Sequence, residues 1–111
     1  MDVYNLIQSK KMSYRAALGT TIRELRFIMC QQSAASAGAR QFVAKNYSDI
    51  KAMNPTLPFI VRECTNAQPT VMARYNYGVE RRVYLNDLSE AEVDQVVGEL
   101  ADQADSINKS L

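Results

Sequence analysis

The sequence predicts one α/β domain of order β-α-β-β-β-α, a four-stranded mixed sheet with helices packed on it. Three observations lead there. An alternating apolar run, RELRFIMC (residues 23–30), is followed by apolar residues at helical spacing and a second short run, PFIVREC (residues 58–64). A strand, a helix and a strand within about forty residues is a βαβ unit, whose two strands should lie parallel. Two β-rich runs on either side of a glycine then predict a hairpin, and a helix with strong start signals closes the chain. With 111 residues and 47% apolar content, the chain can bury one core.

In the first strand Leu25, Phe27 and Met29 point to one side and Ile28 and Cys30 to the other. Apolar residues on both sides suit a central strand covered on two faces. Ala39, Phe42, Val43, Tyr47, Ile50 and Met53 mark the apolar stripe of the following helix. Asn54-Pro55 ends it, because the residue before proline is pushed out of the α region. TVMARYNY (70–77) and RRVYLN (81–86) form the hairpin around Gly78-Val79-Glu80. Ser89 and Glu92 then make a capping box, with Leu88 and Val93 at the staple positions and a stripe of Val93, Val96, Val97, Leu100, Ala101 and Ala104 behind them. This order is that of a minimal thioredoxin-like core. Residues 22–104 are assigned to the domain, residues 105–111 (DSINKSL) to a mobile polar tail, and residues 1–21 to an N-terminal extension. The extension carries Lys10, Lys11 and Arg15 against Asp2, with Arg23 and Glu24 just beyond it, and is read either as an ordinary extension or as an uncleaved import signal.

Composition narrows the chemistry. The absence of histidine removes a Ser-His-Asp triad, an imidazole base and a Cys/His zinc site, and two cysteines cannot by themselves close a structural zinc site. No metal is expected. A net charge of +1 argues against a protein held to nucleic acid mainly by phosphate contacts. No apolar run approaches the ~20 residues needed to cross a bilayer. The thiols are the obvious reactive groups that remain.

Cys30 opens CQQS, half of a Cys-x-x-Cys motif, with Ser33 where a resolving cysteine would stand. A following helix N-terminus would lower its pKa, but no basic residue lies between Cys30 and Arg40. Cys64 ends the second strand. Parallel neighbours ~4.8 Å apart fall within the ~4.4–6.8 Å Cα separation a disulfide tolerates, so the two thiols could pair. An active thiol, inert thiols and a structural disulfide all stay open on these residues. Gln68-Pro69, ahead of the third strand, is where thioredoxin-like proteins place a cis-proline, and Pro69 is the candidate; a plain strand-initiating proline is the alternative.

The ordered set LRFIMCQQS (25–33), Gly38 with Phe42, NPTLP (54–58), IVRECTNAQP (60–69), ARYNYG (73–78) and LNDLSEAEV (85–93) resembles a known family. It is that of the small thioredoxin-fold accessory subunit in the alpha subcomplex of mitochondrial NADH:ubiquinone oxidoreductase, respiratory complex I. Certain mitochondrial ribosomal proteins share the domain type. The resemblance covers residues 22–101. It implies a non-catalytic matrix-arm subunit on the matrix side of the mitochondrial inner membrane, supporting assembly and stability of the NADH-oxidising region. Its implied partners are core subunits of complex I, the large iron–sulfur subunit above all, without nucleic acid or a membrane span. It also implies no flavin, iron–sulfur cluster or quinone on the chain itself, and a disulfide between Cys30 and Cys64.

Two other readings compete. A monothiol, glutaredoxin-like oxidoreductase would use Cys30 with an external thiol such as glutathione. A mitochondrial ribosomal protein would be expected to carry basic patches, whereas residues 87–111 are net acidic. Arg62, Glu63, Arg74, Arg81 and Arg82 are the candidate partner contacts, on or beside strands where long charged side chains are also simply solvated. Tyr75, Tyr77 and Tyr84 are further candidate anchors.

Overall fold

A computed structural model describes residues 14–109. Helix α1 (residues 14–21) leads into strand β1 (Glu24–Met29), a 3-10 turn (Ala34–Ser36) and helix α2 (Ala37–Met53). Strands β2 (Phe59–Glu63), β3 (Thr70–Arg74) and β4 (Glu80–Tyr84) follow, then helix α3 (Glu90–Lys109). The sheet order is β2-β1-β3-β4, with β1 parallel to β2 and antiparallel to β3, and β3 antiparallel to β4. The α/β class, the mixed four-stranded sheet and the βαβ unit are as the sequence predicts.

Register divides the sheet into two unlike faces. Leu25, Phe27 and Met29 of β1 are buried with Phe59 of β2 and Val71 and Ala73 of β3. All three helices reach this face: Leu18 from α1, Phe42 and Ile50 from α2, and Val93, Val97 and Leu100 from α3 join the same core. Phe27 stacks between Phe42 and Phe59, each 5.8 Å away between ring centres. On the opposite face two cross-strand rows run Arg62–Ile28–Thr70–Tyr84 and Ile60–Arg26–Met72–Arg82, with Glu24, Arg74 and Glu80 forming a third. None of these side chains belongs to the core cluster. The expectation that β1 is covered on both faces holds in part: the helical core lies on one face alone, while on the other Glu24, Arg26 and Ile28 are half-buried and Thr70 and Met72 of β3 are 6% and 5% exposed. Glu24 and Arg26 share the second face with Ile28, and their charges are best left near water.

The helix boundaries follow the local rules. Ser89 and Glu92 cap α3 reciprocally: the Ser89 N–H donates to Glu92 Oε1 at 3.1 Å and the Glu92 N–H to Ser89 Oγ at 3.2 Å. α2 stops at Met53, before Asn54-Pro55. Its stripe is narrower than predicted, since Tyr47 and Met53 are 37% and 44% exposed. Tyr47 instead meets the Phe59 ring edge-on at 4.8 Å.

Three further expectations are corrected. There is no cis peptide bond among the described residues, so Gln68–Pro69 is trans. Pro69 lies just ahead of β3, where a missing N–H costs the ladder nothing and its carbonyl accepts from the Leu85 N–H at 2.8 Å. The polar tail begins later than residue 105, because α3 runs to Lys109 with Ile107 only 8% exposed. Asn108 ties it down: its Oδ1 accepts from the Asn76 N–H (3.1 Å) and its Nδ2 donates to the Thr21 carbonyl (3.4 Å). Residues 14–21, assigned to the extension, are part of the domain, with Tyr14, Leu18 and then Ile22 in the core. Asn54 Oδ1 accepts from the Gly19 N–H, and its Nδ2 donates to the Arg15 carbonyl. The readings of residues 1–13 lie outside the described residues.

Of the four glycines, Gly38, in the first turn of α2, has the least room for a side chain. A Cβ there would collide with the Leu88 carbonyl oxygen and lie 2.9 Å from the Leu88 and Ser89 carbonyl carbons. Main chain cannot yield as a flexible side chain would. Gly38→Ala is therefore expected to lower stability by about 1–3 kcal/mol through overpacking, more than the helix-propensity gain of at most about 1 kcal/mol restores. Urea denaturation checks this; an unchanged or raised midpoint would contradict it.

Candidate functional site

The chain around Cys30 is held from several directions. Cys30 leaves β1 with 4% of its surface exposed. Its N–H donates to Ser36 Oγ at 3.2 Å, so Ser36, at the N-cap position of α2, makes no side-chain cap. Arg40, one turn into α2, reaches back and donates through Nη1 to the carbonyls of Cys30 (2.9 Å) and Ser33 (2.8 Å). The Asp87 N–H donates to the Ala35 carbonyl at 3.1 Å, fastening the same segment to the loop before α3.

This arrangement acts on the sulfur. The Cys30 pKa is drawn down from 9.0 to about 7 by the backbone N–H groups of Gln32, Asn66 and Ser33, in that order. Burial opposes the shift, and a smaller contribution comes from the Ser33 hydroxyl, which has no other hydrogen-bond partner. The cause differs from the expected one. α2 starts only at Ala37, after the 3-10 turn, so the donors are loop amides rather than the helix's first turn. Asn66, in the left-handed region at φ 62°, contributes its N–H from the loop after β2. Adjacent N–H groups converging on one acceptor make a small anion nest.

Cys64 lies alongside. The register that pairs Met29 with Glu63 continues, and the Cys64 N–H donates to the Met29 carbonyl at 2.9 Å. Both cysteines are free thiols, Cys30 buried and Cys64 half-buried. Pro69 follows on the same loop and is buried. Sequence adjacency gave no sign of Ser36, Arg40 or Asn66 at this site, because only the turn out of β1 and the loop after β2 bring them to it. Arg40 is ten residues from the carbonyl it holds.

The candidate partner contacts divide by face. Arg62, Arg74 and Arg82 share the uncovered face, whereas Glu63 and Arg81 occupy register positions of the opposite set. Arg74 and Arg26 both pair with Glu24, at 3.8 and 3.2 Å. Of the tyrosines, Tyr75 is buried and donates to the Leu100 carbonyl at 2.6 Å, while Tyr77 and Tyr84 are 78% and 58% exposed. Burial pushes the Tyr75 hydroxyl up to about 12.

Comparison with known proteins assigns the family. Residues 39–90 match the model of the mitochondrial ribosomal protein L51 / S25 / CI-B8 domain. The chain is 48% identical over 82 residues to NADH dehydrogenase (ubiquinone) 1 alpha subcomplex subunit 2 of Arabidopsis thaliana, covering 74% of this chain and 84% of that protein. The chain belongs to the alpha subcomplex subunit 2 family. Its mouse member is 42% identical over 76 residues, 68% of this chain and 77% of the relative. The NADH-ubiquinone oxidoreductase 10.5 kDa subunit of Neurospora crassa is 35% identical over 89 residues, 80% of this chain and 95% of the relative. The resemblance drawn from the ordered segments thus holds at the level of the family. No described helix is long and apolar enough to cross a membrane.

The lowered Cys30 pKa has a consequence for stability. Because the folded-state value lies below the unfolded one, the fold binds the thiolate preferentially. This contribution is absent below about pH 7, grows as pH rises from about 7 to 9.0, and is complete above that. The difference in melting temperature between the native chain and Cys30→Ala should therefore shift in the native chain's favour between pH 7 and 9. A difference that is flat across that interval would contradict the amide nest.

Proposed function

We propose that this chain is a non-catalytic accessory subunit of mitochondrial respiratory complex I, seated in the matrix arm on the matrix side of the inner membrane. There it supports assembly and stability of the NADH-oxidising region. The observation that carries the reading is likeness along 77–95% of the length of relatives named as subunits of NADH dehydrogenase (ubiquinone) or NADH-ubiquinone oxidoreductase. The partner proposed for it is the large iron–sulfur subunit, with contacts drawn from Arg62, Glu63, Arg74, Arg81 and Arg82. The fold is proposed to be a thioredoxin-like one put to structural use. In support, the sheet order and strand directions suit that topology, and the position of a resolving thiol is held by Ser33, half-buried and fastened through its carbonyl by Arg40. No flavin, iron–sulfur cluster, quinone or metal is proposed on this chain.

Native electrophoresis of detergent-solubilised mitochondrial membranes tests the reading, with complex I located by its NADH dehydrogenase activity in the gel. The chain should comigrate with that activity at very high mass. Migration as a small free protein, together with glutathione-dependent turnover that Cys30→Ser abolishes, would replace the subunit by a monothiol oxidoreductase.

The proposed role of the cysteines is a disulfide formed under oxidising conditions. Its support is the parallel register that sets Cys64 beside the end of β1. Oxidation would close a loop of about 34 residues and stabilise the domain by ~3 kcal/mol; in a reducing compartment the dithiol would prevail. Mass spectrometry after differential alkylation should find one bridged pair in the oxidised chain. Two freely alkylated thiols would rule the bridge out.

A further inference from the structure

The uncovered face of the sheet has the composition of a contact surface. Ile28, half-buried, and Met72, 5% exposed, lie on its two inner strands, and Ile60 and Tyr84, 37% and 58% exposed, lie on the outer ones. Four arginines, Arg26, Arg62, Arg74 and Arg82, share it with two glutamates, Glu24 and Glu80. Their charges are not evenly spent. Glu24 is engaged by both Arg26 and Arg74, whereas the guanidinium groups of Arg62 and Arg82 form no hydrogen bond or ion pair among the described residues. These two stand on the opposite edge strands, β2 and β4, three strand spacings and two residues apart, which sets their Cα atoms roughly 16 Å from each other. An apolar centre bracketed by two unspent guanidinium groups fits a protein surface in which carboxylates flank an apolar patch. Guanidinium binds such carboxylates in bidentate fashion.

We infer that this sheet face, which no helix covers among the described residues, docks a carboxylate-bearing surface of a partner protein, with Arg62 and Arg82 as its charged anchors and Ile28, Ile60 and Tyr84 as its apolar contacts. The inference rests on the subunit reading above and specifies the surface it uses. The centre of the helical face is committed to the core, and Glu63 and Arg81, although exposed, occupy register positions of that face and so stand apart from this surface. A second copy of the chain would set arginines against arginines, which disfavours it. Residues 1–13 are net basic, with Lys10 and Lys11 against Asp2, which disfavours them as the occupant as well. An anionic bilayer would meet Glu24 and Glu80 on the same face, whereas a protein surface can match both signs.

The test uses the full chain expressed in place of the native one. In a variant carrying Arg62→Lys and Arg82→Lys, each introduced amine can be joined by carbodiimide to a carboxylate within contact distance, the reagent leaving as a urea. In complex recovered from the native gel, cross-links from positions 62 and 82 to aspartate or glutamate of another subunit are expected. Arg81→Lys, one residue away but in the opposite register set, should give none. Incorporation of Arg62→Glu/Arg82→Glu should fall roughly tenfold or more, with Arg81→Glu close to the native level. If the native chain comigrates with complex I but cross-links arise only from position 81 in Arg81→Lys, or from the lysines of the helical side, this surface is overturned and the subunit reading stands. A native chain absent from the complex overturns both. Cross-links to a second copy, or flotation with anionic phospholipid vesicles that Arg62→Glu/Arg82→Glu abolishes, would overturn the protein partner in favour of self-association or a membrane.

Discussion

The constraint on which the rest of the site depends is the contact of α2 with the loop before α3 at Gly38. Because no Cβ intervenes, the first turn of α2 sits directly against the Leu88 carbonyl. That contact fixes the height of α2 over the sheet, and three consequences follow within one turn. Ser36 Oγ reaches the Cys30 N–H, Arg40 spans back to the carbonyls of Cys30 and Ser33, and the Ala35 carbonyl takes the Asp87 N–H. The segment between β1 and α2 is therefore over-determined, held from both sides at Cys30, Ser33 and Ala35. Backbone groups in a buried loop require such partners, and here they come from a helix and from two other loops.

The same over-determination explains why a thiol with a depressed pKa need not be an enzyme's nucleophile. Loop amides stabilise the thiolate, which is the electrostatic half of an active cysteine. The other half is access, and Cys30 is 4% exposed with Ser33 rather than a second thiol at the fourth position of CQQS. Cys64 is the nearest thiol by strand register. An amide nest against a closed sulfur is consistent with a retained scaffold, in which loop geometry persists because it also terminates β1 and seats α2.

What the sequence made legible was whatever depends on neighbours along the chain. Alternation in LRFIM, the proline after Asn54 and the Ser89–Glu92 box each gave an element with its boundary, because these are local effects of period, sterics and capping. What it hid depends on contacts between distant segments. DSIN looks like a polar tail, since one isoleucine among polar residues makes no stripe by itself; Ile107 continues the spacing of Leu100 and Ala104, and the bonds from Asn108 to Asn76 and Thr21 hold the last turns in place. Tyr14 and Leu18 were concealed by the basic residues around them, although they pack into the core opposite α3. Arg40 at the thiol loop and the trans form of Pro69 carried no signal in composition or spacing. Charge at strand positions could be recognised, but only the register decided which arginines share a face.

Buried polar ties then determine which surface is left for a partner. Tyr14 donates to Asp94 Oδ1 at 2.5 Å and Arg15 to Asp94 Oδ2 at 2.8 Å, anchoring α1 on α3. Asn54 links α1 to the end of α2, and Tyr75 links the end of β3 to Leu100 in α3. Removing one member of such a tie strands a desolvated group, at a cost of about 1–3 kcal/mol, so each tie holds the helices in one arrangement over the sheet. The helical side is thus bound internally by both its apolar and its polar groups. On the other side β1 and β3 bring aliphatic side chains to the middle of a face whose edge arginines have no partner within the described chain. A domain of this size cannot cover two sheet faces with three helices all packed on one. The uncovered face is therefore a direct consequence of how the core was built, and its chemistry suits a neighbour better than it suits bulk water.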